Sequence, residues 1–298
     1  LAARATGNHR WYYAPLIFVS TPLGLSSGLF MTPDIPLLLG WSIVIYGLVA
    51  KTPQLAWLGL TIGLLSKPTA VLMLPAIVLV FGWKQRLWVI FGALAVCYPM
   101  LAWSAGHDWL PYSFQSTRSF LIGLKSPLYL IETVGVQTLL VGPLLCWTLW
   151  QLLFRKACTS KCLWWMCGPI MAVSIVASLG MHVEANWPMM LWAPIVVFAP
   201  GVFDRLTVEQ LRWQTAHSVL TLFVLIALPV ALNRLPGNVG PDRDGHQLSR
   251  CLEQRFATKR RLAVRYQEMA LLNLESPKPH LLVTSSQRRS QYNLWQQR

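Results

Sequence analysis

The chain is a succession of apolar runs interrupted by short polar or proline-containing stretches. Nine runs, at about 12–31, 35–50, 53–66, 68–83, 87–104, 128–154, 162–180, 188–203 and 215–232, predict helices. A bilayer-spanning helix needs roughly 20 apolar residues, and fewer where flanking side chains snorkel. The boundary at Ser66-Lys67-Pro68 matters most. Without it, residues 54–83 would be one 30-residue helix, too long for a hydrocarbon core of about 30 Å at about 1.5 Å per residue. Past Leu232 the pattern changes. Residues 246–260 and 266–274 read as helices, and Leu262-Ala-Val264 and His280-Leu-Leu-Val-Thr284 as short strands. The predicted fold is an α-helical polytopic membrane protein. A bundle of about nine spans occupies residues 1–232, and an α/β soluble domain occupies residues 233–298.

Charge supports this division. Of 298 residues, 54% are hydrophobic and 12% charged. Soluble globular chains carry about 25% charged residues, so an ordinary soluble enzyme is excluded. Disorder is excluded too, because it requires low hydrophobicity and high charge. Residues 1–232 hold 13 basic and 6 acidic side chains, about 8% charged. Residues 233–298 hold 12 and 5, about 26%. With the N-terminus in the cytoplasm, the short loops on that side hold Arg4, Arg10, Lys51, Lys84, Arg86, Arg155, Lys156, Lys161, Arg205 and Arg212. The opposite side holds Lys67, Arg118 and Lys125. That bias satisfies the positive-inside rule and places the tail on the outer side. The net charge of +14 divides evenly between the two regions. No basic-plus-aromatic pattern of a nucleic-acid module accompanies it. The chain opens on Leu1 without a signal-peptide pattern, and the expectation is a fragment of a longer protein.

Candidate chemistry then falls on the outer face. Asp34, in Thr32-Pro-Asp-Ile-Pro36, is either an ionisable group held near membrane depth for a role or a helix N-cap. Lys67 either meets a lipid phosphate or snorkels at the interface. His182, Glu184 and Asn186 alternate, so an extended loop would point all three one way. They could bind a sugar, an acceptor or a metal, or simply fix two helix ends. Three such groups fall short of a metal cage, and no metal site is predicted. Cys158, Cys162 and Cys167 lack zinc-site spacing. Gly24-Leu-Ser-Ser-Gly28 and Gly59-Leu-Thr-Ile-Gly63 predict close helix packing. No P-loop, GxGxxG or GxSxG is present.

Four strings together resemble the bacterial members of glycosyltransferase family 39, the protein O-mannosyltransferase-like enzymes of the GT-C superfamily. They are TPDIPLLLGWSIVIYGL at 32–48, GLLSKPTAVLMLPAIVL at 63–79, HVEANWP at 182–188, and RYQEMALL with RRSQYNLW at 265–272 and 288–295. The resemblance implies a multi-span bacterial inner-membrane enzyme with a GT-C-like bundle. It would move a sugar from a polyprenyl-phosphate donor to a lipid, glycan or protein acceptor on the periplasmic face. Asp34, the catalytic candidate, matches the acidic residue of the family's second outer loop near the donor phosphate and sugar, and Lys67 a basic position near that phosphate. His182, Glu184, Asn186 and Trp187 match a loop bordering the substrate cavity. The implied partners are the lipid-linked sugar, membrane lipids and the acceptor, with no nucleic acid. No cofactor is specified, and a divalent cation stays open. The family's Asp-Glu motif in its first outer loop, whose Asp is the expected base, has no counterpart in residues 1–31. Two other readings stay open: a transporter or flippase of a lipid-linked sugar, and a non-catalytic truncated remnant.

Overall fold

The computed structural model describes residues 13–29, 32–109, 112, 127–155, 161–203, 208–232, 262–263 and 281–282. They are mostly helical. In chain order the helices are α1 (Tyr13–Ser20), α2 (Pro22–Leu29), α3 (Asp34–Val49), α4 (Pro53–Ser66), a 3₁₀ segment (Pro68–Met73), α5 (Leu74–Val80) and α6 (Trp83–Ala105). They continue with α7 (Leu128–Val141), α8 (Pro143–Leu153), α9 (Lys161–Gly180), α10 (Met189–Phe198), α11 (Pro200–Phe203) and α12 (Val208–Leu232). Residues 1–108 and 116–221 group as one unit, and 109–115 with 222–298 as another.

In the first unit, α3 and α4 form an antiparallel hairpin around a tight turn at Ala50–Thr52. Lys51 takes a left-handed backbone there (φ 52°), and the Thr52 N–H donates to the Gly47 carbonyl at 2.8 Å. Gly40, Gly59 and Gly63 let the two backbones approach closely. A Cβ on Gly59 would lie 2.5 Å from the Gly40 carbonyl oxygen, and one on Gly40 2.7 Å from the Gly63 nitrogen. The GxxxG of residues 59–63 therefore does mark close packing inside the bundle, where small residues permit backbone contact. α4 also packs on α6, α9 on α5 and α7, and α10 on α1, α3, α8 and α9. Trp41, Ile45, Leu60, Ile77, Met166 and Trp192 are buried at the centre.

Prolines set the element lengths. Pro22, Pro53, Pro68 and Pro143 each sit at the first position of a helix or 3₁₀ segment, where the missing N–H costs nothing. Before Pro53 and Pro68 the residues Thr52 and Lys67 are extended, as the residue preceding a proline is pushed to be. The nine apolar runs thus become helices, but most are too short to cross a bilayer. Among the described residues, two helices are long and apolar enough: Trp83–Ala105 and Cys162–Gly180. A third span exists only if α7 and α8 count as one, and they bend by 111° at Gly142. The expectation of nine spans is corrected accordingly. Hydrophobic runs report apolar content, not how far each helix continues.

The second correction concerns the tail. Of residues 233–298 only β1 (Leu262–Ala263) and β2 (Leu281–Leu282) are described, and they pair in parallel. Both coincide with expected strands. Two residues per strand fall well below the usual 3–10, so an α/β domain is not established. The expected helices at 246–260 and 266–274 lie outside the described residues.

The α7–α8 bend has a local cause and a remote clamp. Gly142 has φ +85°, a conformation that suits glycine. The Gln214 side chain from α12 then caps the break. Its amide nitrogen donates to the Val141 carbonyl at 3.0 Å, and its carbonyl oxygen accepts from the Leu144 N–H at 3.1 Å. Backbone groups freed inside an apolar bundle need such substitutes.

Two glycines give a paired test. Gly59→Ala forces the α3–α4 backbones apart, and overpacking costs about 1–3 kcal/mol. Gly135→Ala, on α7 with nothing within 4 Å of its added Cβ, gains helix propensity of about 0.5–1 kcal/mol. Thermal unfolding of the detergent-solubilised protein should shift down for the first and stay level or rise for the second.

Candidate functional site

The site begins with two proline-directed ends. Pro33 occupies the N-cap of α3, so Asp34 is the first residue of the helix. No side chain caps this end, and the reading of Asp34 as an N-cap is corrected. Its charge still suits the positive end of the helix dipole. At the other end of the hairpin, Pro68 obliges Lys67 to be extended (φ −150°, ψ 141°). α4 stops there, with the Lys67 N–H donating to the Gly63 carbonyl at 2.8 Å. The helix break at 66–68 stands as the sequence implies.

The antiparallel register that sets Gly47 against Ala56 and Gly40 against Gly59 and Gly63 also sets Asp34 against Lys67. Lys67 Nζ donates to Asp34 Oδ1 at 2.5 Å. Asn186 Nδ2 donates to Asp34 Oδ2 at 2.8 Å. Asp34 is buried, 4% exposed, and both its oxygens are engaged. The Lys67 side chain retains 28% exposure. An ammonium has three donors, so two remain for another acceptor. Asp34 therefore ties Lys67 and Asn186 together.

The loop 181–188 is held by more than Asn186. Gln137 of α7 donates to the Ala185 carbonyl at 2.7 Å and accepts from Trp192 Nε1 at 3.0 Å. His182 Nδ1 lies 2.9 Å from Glu132 Oε1, also on α7. The Trp187 N–H closes a turn onto the Glu184 carbonyl at 3.0 Å. This turn defeats the expected alternation. His182 reaches Glu132 while Asn186 reaches Asp34, so the polar residues do not share one target. Glu184 and Trp187 are half-buried within the loop.

Of the sequence candidates, the structure joins Asp34, Lys67 and Asn186 directly. Sequence reasoning missed Glu132 and Gln137, which lie inside the apolar run 128–154. The signal was available, since an ionisable side chain within an apolar run is costly and seldom idle. Among the described residues no group of three or more His, Cys, Asp or Glu could hold a metal. The described cysteines, Cys97, Cys146, Cys162 and Cys167, form no disulfide with one another. Cys158 and Cys251, the basic clusters at 259–261 and 288–289, and the strings at 265–272 and 288–295 lie outside the described residues.

Beside the loop is an apolar cavity of about 250 Å³ between α7, α8, α9 and α10. Gln137, Thr133, Thr138, Ser174 and Ser178 supply its few polar side chains, and Leu191 and Trp192 part of its wall. Val134 and Ile175 at its rim are 58% and 44% exposed.

No family model, no curated protein and no solved structure matches this chain.

The Asp34–Lys67 pair is testable by a double-mutant cycle. Asp34→Ala strands a partly buried ammonium and the Asn186 amide. The expected loss is about 1–3 kcal/mol, discounted from a fully buried pair because Lys67 is partly solvated. Adding Lys67→Ala should restore part of it. Urea or thermal denaturation of the four proteins should give a coupling above about 0.5 kcal/mol.

Proposed function

We propose that the chain is a membrane glycosyltransferase. It transfers a sugar from a polyprenyl-phosphate donor to a lipid, glycan or protein acceptor on the periplasmic face of a bacterial inner membrane. The observation that carries this reading is the convergence of Lys67, Asp34 and Asn186 from three separate chain segments. They meet beside the loop that follows α9, one of the two helices able to span a bilayer. The resemblance described above supplies the reaction.

The chemistry follows from charge. Glycosyl transfer leaves a phosphate as the C1–O bond breaks, and a fixed cation lowers that barrier. Lys67 is the cation in this reading, held by Asp34 with donors to spare. Asn186 and Trp187 offer hydrogen bonding and an aromatic face to the sugar. The apolar cavity bounded by α7–α10 suits an isoprenoid chain. An N-terminus in the cytoplasm and a periplasmic tail belong to the same proposal.

One observation favours a second reading. The α7–α8 pair is a broken helix, and discontinuous helices are a mark of transporters. A flippase for a lipid-linked sugar would use the same lipid contacts without forming a glycosidic bond.

The two are separated in proteoliposomes loaded with undecaprenyl phosphate carrying labelled mannose or glucose. Transfer of label to an acceptor in a membrane extract is the expected result. Lys67→Ala should lower turnover at least about tenfold, in line with loss of one stabilising charge. Translocation of intact donor without any transfer would overturn the enzyme reading.

A further inference from the structure

The first turns of α6 hold cations that the Lys67–Asp34–Asn186 cluster does not explain. We propose that Lys51, Lys84 and Arg86 form a surface that binds the phosphate of an anionic phospholipid, whose chain lies along the outward face of α6. The inference is independent of the glycosyltransferase reading and needs only a membrane around α6.

The start of α4 is packed on the first turns of α6. The Trp57 and Trp88 rings lie 5.7 Å apart, and a Cβ on Gly92 would meet Trp57 Nε1 at 2.9 Å. Lys51, exposed at the α3–α4 turn, therefore lies at the same end of the bundle as Lys84 and Arg86. Lys67 follows the other end of the 14-residue α4, about 21 Å away. Among the described residues none of the three basic side chains meets a carboxylate. The first turns of α4 and α6 hold no acidic residue. α3 and α5 end at this level, so their dipoles offset those of α4 and α6. Three side-chain charges are left over.

Both faces of α6 carry part of the surface. Arg86 falls in line with Val89, Ala93 and Cys97, the buried stripe of the helix. Its Nε is buried and has no hydrogen-bond partner among the described residues. A buried donor without an acceptor is costly, more so on a charged group, and a phosphate oxygen satisfies it. Lys84 heads the outward stripe, where Leu87, Phe91 and Leu94 are exposed. Its Nζ lies 5.6 Å from the centre of the Trp83 ring. Trp83 is itself exposed, as suits a residue at the membrane–water interface. From Lys84 to Leu94 the helix rises about 15 Å, half of a hydrocarbon core of about 30 Å. The stripe thus sets a cation at head-group level and apolar side chains over the depth of one leaflet.

The alternative is three snorkelling cations with no ligand. Snorkelling leaves the charged head in water. It accounts for the exposed Lys51 and Lys84, and not for Arg86, whose Nε is shut away from water. A free phosphate would meet the charges and leave the apolar stripe below Lys84 unused. A phospholipid uses both.

The test is native mass spectrometry of the full chain in detergent, titrated with dioleoyl phosphatidylglycerol or with neutral dioleoyl phosphatidylcholine. One basic residue near an anionic lipid surface is worth about fivefold in binding. Phosphatidylglycerol should bind at least about fivefold more tightly than phosphatidylcholine, and Lys51→Gln and Lys84→Gln should each weaken it about fivefold. Arg86→Lys keeps the charge without the Nε donor and should fall between wild type and Arg86→Gln. Arg212→Gln removes an exposed cation that faces Glu209 and should leave binding unchanged. Equal affinity for the two lipids, or unchanged binding in the Lys51→Gln, Lys84→Gln double variant, would overturn the site. An equal loss in Arg212→Gln would overturn it in favour of diffuse attraction. Displacement of phosphatidylglycerol by soluble glycerol phosphate would overturn the lipid as occupant. Melting temperatures measured in phosphatidylcholine alone should match wild type for the two lysine variants. A fall there that parallels the lost binding would assign the lysines to packing instead.

Discussion

One carboxylate organises the polar end of the first unit. Asp34 is buried and accepts from two donors that are 33 and 152 residues away. A buried charge left without such partners would be costly. Its partners must therefore arrive, and each arrives by a different physical route. Lys67 comes by hairpin register, because the glycine contacts between α3 and α4 fix which residues face each other. Asn186 comes by way of a loop that α7 holds down. The ion pair, the glycine seam and the loop are parts of one constraint.

That constraint was partly legible in the sequence. Asp34 and Lys67 stand out as charges in apolar surroundings, and Pro68 makes the break between α4 and the 3₁₀ segment readable. Their mutual contact required the register, and register in a helical hairpin depends on backbone approach rather than on residue type. His182, Glu184 and Asn186 were visible as polar residues, but their alternation assumed an extended loop. The turn at 184–187 redirects them. Glu132 and Gln137 were hidden by their hydrophobic neighbours, since a run read for its average conceals its exceptions.

The membrane-spanning pattern was legible in composition but not in length. Apolar residues cover most of residues 12–232, yet α1, α2, α5 and α10 contain only 7 to 10 residues each. Proline at the start of successive elements divides the runs. α6 shows the other outcome: Pro99 lies inside it and the helix continues to 23 residues, as neighbouring contacts in an apolar setting allow. Its outward residues, including Phe91 and Tyr98 at 63% and 68% exposure, suit hydrocarbon, and Trp83 and Trp103 sit near its two ends, where interfacial tryptophans are favoured.

The clamp at Gly142 also orders events in time. The Val141 carbonyl and the Leu144 N–H find their partner in Gln214, 73 and 70 residues further along. A chain made from its N-terminus presents the kink long before the residue that satisfies it. Until α12 emerges, those two peptide groups require water or lipid head groups, because hydrocarbon offers them nothing. The bend therefore matures late: its hydrogen bonds are complete only once synthesis has passed residue 214.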